Sequence, residues 1–158
     1  MTPAFLLPCL VFCTPAPQPS ASVPSWSELR ETVLQLKQPE GATELFKRHP
    51  RLAAAYAEPT SLGDQMQKWR DRLIPLPADP ETVDPAVITV QVRDLQDSAV
   101  VIVTFHNPAT KGSLTFLKLT WEAKSLVKVE CFHGFRREIP ARESGPEDYY
   151  RRPRSFSR

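Results

Sequence analysis

The sequence predicts an α+β domain: N-terminal helices packed on a curved four-strand antiparallel meander. Three observations carry that expectation. Apolar residues recur at helical spacing through 25–74. Alternating and β-branched runs separated by short turns fill 86–135. A Pro-rich crossing, 75–85, with four prolines and three acids, divides the two. Period 3.6 marks helix and period 2 marks strand. Helices and strands segregated along one chain make an α+β fold.

In the helical half, Ser27 is a candidate N-cap, with Leu29, Val33 and Leu36 following at i, i+4 and i+7. Pro39-Glu40-Gly41 ends that helix. A second segment carries Leu45 and Phe46 up to His49-Pro50, where Pro50 opens a new helical turn at its first position. Leu52, Ala53 and Tyr56 form an apolar face up to Pro59. In a third helix, Ser61 with Asp64 is an acidic capping box. Leu62, Met66, Trp69 and Leu73 make one stripe, and Pro75 and Pro77 stop it. The prolines of 75–85 make a stiff crossing to the sheet.

In the first strand Ile88, Val90 and Val92 alternate with Thr89, Gln91 and Arg93, giving one buried and one wet face. Asp94-Leu95-Gln96-Asp97 is the turn after it. Ala99 to Phe105 is apolar on both faces, as a central strand covered on both sides would be. Asn107 to Gly112 has loop chemistry. In the third strand Leu117, Leu119 and Trp121 share a face, and Leu114 and Phe116 on the other imply a bulge near Phe116 or a second covered face. A three-residue turn, Glu122-Ala123-Lys124, keeps Leu119 and Trp121 on the same side as Val127 and Val129. Cys131 and His133 continue that inner face. Short connections make all neighbours antiparallel.

The ends differ from the middle. Residues 1–27 carry no charged side chain, and Ala4 to Cys13 is a compact apolar run. It is too short for a membrane-spanning helix. It has the length of the apolar part of a secretory signal, with small residues at Ser20 and Ser22 placing cleavage after Ser22. No Lys or Arg precedes the run, and Pro8 interrupts it. The expectation is a signal segment at 1–22 and a secreted or periplasmic protein; the alternative is an unstructured cytoplasmic N-terminus. Loss of the leader removes Cys9 and Cys13 and leaves Cys131 as the only thiol, so no internal disulfide forms. The segment 136–158 is rich in arginine, lacks apolar periodicity and reads as a basic flexible tail. A formal net charge of +2 gives no argument for nucleic acid as a partner.

Cys131-Phe132-His133 is the sharpest local pattern. Residues i and i+2 of a strand point the same way, so thiol and imidazole could form a nucleophile–base pair or share a metal. A metal needs more ligands, and none has the spacing. His106 ends the second strand at a loop rim. Trp69 and Trp121 are candidates to line an apolar pocket, with His133 beside them, although both more often belong to a core. The chain has no Gly-rich phosphate loop, HExxH or GxSxG motif, and no cofactor is expected.

The order of helices followed by a meander, from Ser25 to Phe135, resembles the cystatin-like and nuclear-transport-factor-2-like superfamily. The resemblance implies a curved sheet wrapped around a helix to make a cone. Its members include small-molecule isomerases and dehydratases, ligand binders and non-catalytic association domains. Its enzymes set Asp, His, Tyr or Arg inside the cone, and the inner face of the last strand here offers Cys131 and His133. The leading expectation is an exported, non-catalytic domain whose apolar cone or sheet face takes a small apolar ligand or a protein partner. One alternative is a small-molecule enzyme with a cone pocket, using His133, Cys131 and His106. Another is an intracellular adaptor with an anion-binding tail. The sequence does not fix the oligomeric state, and a dimer is possible.

Overall fold

The computed structural model describes residues 22–107 and 113–135, excepting the side chain of Phe135. The expected leader up to residue 21, the loop residues 108–112 and the basic tail lie outside the described residues. The rest is α+β, as the pattern of periods predicts: α1 (Trp26–Lys37), α2 (Gly41–Arg48), α3 (Pro59–Gln67), then β1 (Ile88–Leu95), β2 (Ser98–His106), β3 (Ser113–Glu122) and β4 (Ser125–Phe135). The strands form one curved, open antiparallel sheet in the order β1-β2-β3-β4.

The cap of α1 is Ser25, not Ser27. Its hydroxyl accepts from the Glu28 N–H while the Glu28 carboxylate accepts from the Ser25 N–H, a reciprocal capping box. Leu29, Val33 and Leu36 are buried as their spacing requires. Gly41 does not trail α1 but opens α2. A Cβ there would run into the carbonyl of Gln35, so only glycine lets α2 begin so close to α1. Pro50 starts a 3₁₀ turn, Pro50–Ala54, which buries Leu52 and leaves Ala53 exposed.

Two expectations for α3 are corrected. It begins at Pro59 behind Glu58, with no side-chain cap; proline at the first helical position, with φ already set, replaces the Ser61–Asp64 box. It also ends at Gln67, and a 3₁₀ turn, Arg70–Arg72, follows. The stripe nevertheless holds: Leu62, Met66, Trp69 and Leu73 are all buried. Lys37 Nζ ties off that turn by donating to Leu73 O at 2.8 Å. The crossing is held by α1, through Trp26 Nε1 to Pro77 O at 2.9 Å and Arg30 Nε to Leu76 O at 3.2 Å.

Two sheet turns are tighter than expected. β1 runs to Leu95 and β2 starts at Ser98, so only Gln96-Asp97 turns the chain. Between β3 and β4 the turn is Ala123-Lys124 alone, with φ of 46° and 61°. Such a two-residue turn matches the twist of the strands but is strained in residues other than glycine and asparagine. It pairs Trp121 with Leu126. A register shift then leaves Val127 without a partner and restores Thr120↔Lys128 and Leu119↔Val129. Leu126 therefore takes the inner place expected of Val127. The bulge lies here rather than near Phe116.

The core is the seam between the helices and the inner face of the sheet. Val101, Val103, Leu117, Leu119, Trp121, Leu126 and Val129 are fully buried against Leu29, Val33, Leu45, Leu52 and Leu62. Ser22 is buried too: its hydroxyl donates to Asp97 O at 3.1 Å and accepts from the Ala123 N–H at 3.4 Å. It thereby ties together the two hairpin turns at that end of the sheet.

Candidate functional site

The five candidates, Trp69, His106, Trp121, Cys131 and His133, fall into different environments. Trp121 has no exposure, lies deep in the seam, and its Nε1 has no hydrogen-bond partner among the described residues. The ring of His49 meets it edge-on, with centroids 5.2 Å apart. His49 Nδ1 accepts the N–H of Leu126 at 3.2 Å, so its proton resides on Nε2. Burial, and then the neighbouring Arg48 cation, hold the His49 pKa below the ordinary histidine value.

At the far end of β4 a second histidine meets a second indole. Trp69 is buried just after α3, and the exposed ring of His133 lies over it at 4.6 Å between centroids. Arg72 Nη1 lies against the same imidazole, 3.0 Å from Nδ1 and in contact with Nε2. A guanidinium is only a donor, so a ring nitrogen of His133 acts as acceptor. Arg72 Cζ is 5.6 Å from the Trp69 ring centre and Lys68 Nζ is 5.3 Å from it, within reach of the indole quadrupole.

Cys131 shares the inner face with His133, as i, i+2 geometry requires. The thiol packs against the core, and burial pushes its pKa up to about 12, despite the Lys68 cation acting the other way. A thiol so poor in thiolate is not an activated nucleophile, and the His133 ring is engaged by Arg72 and Trp69. His106 is on the other face: its row runs His106↔Leu114↔Gly134, whereas that of His133 runs Phe105↔Thr115↔His133. The structure thus joins His133 to Trp69, keeps Cys131 near them, and separates His106 and Trp121 from both. Among the described residues no group of His, Cys, Asp and Glu could hold a metal ion, and no helix is long and apolar enough to cross a membrane.

Sequence reasoning missed Lys68 and Arg72. They stand at i and i+4 around Trp69, a visible spacing, but the contact that matters joins residues 61 positions apart. It also missed how the helical half covers part of the β4 edge. The Tyr56 hydroxyl donates to Val129 O and accepts from Val129 N–H at 3.2 Å. Gln65 Nε2 adds a bond to the same carbonyl at 3.4 Å.

Two other surfaces lie apart from these residues. A shallow cleft between α2 and α3, about 310 Å³, is lined by Ala42, Thr43, Thr60, Gly63 and Gln67 and holds none of the predicted site residues. The outer face of the sheet carries the stacked rings of Phe116 and Phe132, 5.2 Å apart, with Phe132 44% exposed. Beside them Glu130 pairs with Lys128 and Lys118, which hold its carboxyl below the usual carboxylate range. Comparison with known protein families, with curated proteins and with solved structures finds no match for this chain.

Proposed function

We propose that this protein is an exported, non-catalytic binding module that grips an anionic group, a carboxylate or a phosphate, at the corner made by Lys68, Arg72 and His133 on Trp69. One observation carries the reading: among the described residues no carboxylate pairs with the cations of that corner. Among the described residues the ion pairs are Glu44–Lys47, Glu31–Arg48, Arg51–Glu122 and the Glu130 pairs, and none takes Lys68 or Arg72. Arg72 spends one nitrogen on His133 and keeps further donors of its fork. Trp69 props all three side chains, which lowers the cost of ordering them around a ligand. The raised thiol of Cys131 and the engaged ring of His133 argue for binding rather than turnover. The export part of the proposal rests on the uncharged apolar run at Ala4 to Cys13.

Titration with inorganic phosphate, followed by the NMR signals of the Trp69 indole N–H and the His133 ring, tests the corner. The wild type should show saturable shifts that weaken with added salt. The Lys68→Ala/Arg72→Ala protein should show none. Acetate in place of phosphate distinguishes the two anion classes. Equal shifts in wild type and double variant would sink the proposal.

A further inference from the structure

The middle of α3 carries a glycine that the packing does not require. Glycine is the poorest helix former after proline, and Gly63 is central in Pro59–Gln67. A Cβ there would stand 3.8 Å from Arg70 Nη2 and 3.9 Å from the Ala42 Cβ, both ordinary contact distances. Alanine would therefore fit. What the bare Cα keeps is open space: Gly63 and Ala42 line the cleft of about 310 Å³ between α2 and α3. That volume is near the lower end for ligand pockets, about 300 Å³.

Arg70, half-buried, is fixed at the same cleft. Its Nη2 donates to Gly63 O at 3.1 Å and to Pro39 O at 3.4 Å, and its own carbonyl accepts from Lys37 Nζ at 3.4 Å. Both acceptors of the guanidinium are neutral, so they orient it without cancelling its charge. Nε has no hydrogen-bond partner among the described residues, so the fold leaves part of the fork unsatisfied. Asp64, next to Gly63 on α3, is exposed at the cleft and supplies the opposite sign. The ion pairs among the described residues take neither Arg70 nor Asp64. One cleft thus holds a cation and an anion that do not pair with each other.

We infer that this cleft binds a small zwitterion, an α-amino acid, with its carboxylate on the remaining donors of Arg70 and its ammonium toward Asp64. A lone anion would meet the Asp64 charge and a lone cation that of Arg70, so a ligand carrying both groups fits the pair best. Hydrogen bonds from a guanidinium to a carboxylate are stronger than neutral ones. Holding Arg70 in place beforehand lowers the ordering cost of binding. Pro39, Ala42 and Pro59 in the lining give a short aliphatic side chain an apolar wall. The cleft shares no residue with the anion corner at Lys68, Arg72 and His133, so either site can fail alone.

Titration of the full chain with L-alanine tests it, read at the NMR signals of the Thr43 and Gly63 amides, which line the cleft, while the Trp69 indole N–H reports the corner separately. Both amides should shift saturably. Propionate and ethylammonium each lack one of the two charges and should bind at least about tenfold more weakly, as the loss of one charge-assisted hydrogen bond implies. Gly63→Ala should raise the melting temperature by roughly 4 °C. It should also weaken L-alanine binding at Thr43 at least about tenfold, because the methyl stands over the guanidinium. Asp64→Asn should fold as the wild type does and bind L-alanine no better than propionate. No saturable shift up to the solubility limit of L-alanine overturns the inference. So does propionate binding as tight as that of L-alanine, or a Gly63→Ala protein that is less stable than the wild type or binds L-alanine equally well.

Discussion

The chain pairs a histidine with a tryptophan twice, and the two pairs share little beyond composition. His49 and Trp121 meet edge-on inside the seam, where the imidazole accepts a main-chain N–H and is disfavoured as a cation. His133 and Trp69 meet at the surface, where the same ring receives a guanidinium and faces solvent. Neighbours, not residue type, decide what each histidine does. The inner one replaces a missing strand partner for Leu126. The outer one closes a cationic corner. Desolvation separates them, because in a dry site an unmade hydrogen bond costs more than a made one contributes.

The largest test of the contrast is Trp121→Ala. A fully buried indole lost from the seam should cost about 3–5 kcal/mol in urea unfolding. Trp69→Ala, at the seam's rim, should fall at the lower end of that range. Equal and small losses would mean the inner pair is no better packed than the outer.

Next comes His49→Phe, which keeps a ring but strands the Leu126 N–H; about 1–3 kcal/mol should be lost. The pH dependence sharpens the point. A histidine whose folded pKa is depressed contributes its full stability above the unfolded value, about 6.5, and loses it as pH falls from there toward the folded value. The wild-type unfolding midpoint should therefore drop as the pH falls below about 6.5, and part of that slope should vanish in His49→Phe. An identical slope in both proteins would remove His49 from the account.

The smallest effect belongs to His133→Gln. An exposed ring with one surface donor should change stability by no more than about 0.5 kcal/mol. Calorimetry decides it. A loss as large as that of His49→Phe would show that the corner is structural, and the two pairs would differ in exposure alone.

The stripes of α1 and α3 and the alternation at Ile88–Val92 and Leu117–Trp121 were legible because burial acts on side chains at fixed periods. The cap of α1 was legible as well: Glu28 stands three residues after Ser25, and that spacing, rather than the nearness of Ser27 to the stripe, marks the box. The Ala123-Lys124 turn was hidden, since neither residue favours positive φ and only tertiary pairing forces it there. A loop read one residue too long placed Val127 inside, and the bulge that undoes this leaves no mark in composition. The inner face of His133 was readable from Cys131, two residues before it. Its partners were not, because Lys68, Trp69 and Arg72 reach it only through the folding of the whole helical half.

The stacked rings on the outer face constrain how this sequence can change. Phe116 lies across Gly134, and a Cβ at residue 134 would press into its ring, with Cδ2 at 3.2 Å and Cε2 nearer still. If the ring yields, it disturbs its stack with Phe132, whose plane lies at 12° to its own. Any substitution at 134 therefore requires the Phe116 ring to shift, and a small residue at 116 removes that requirement. The two positions are coupled, so a change at Gly134 should cost less stability once Phe116 has been replaced by a small residue.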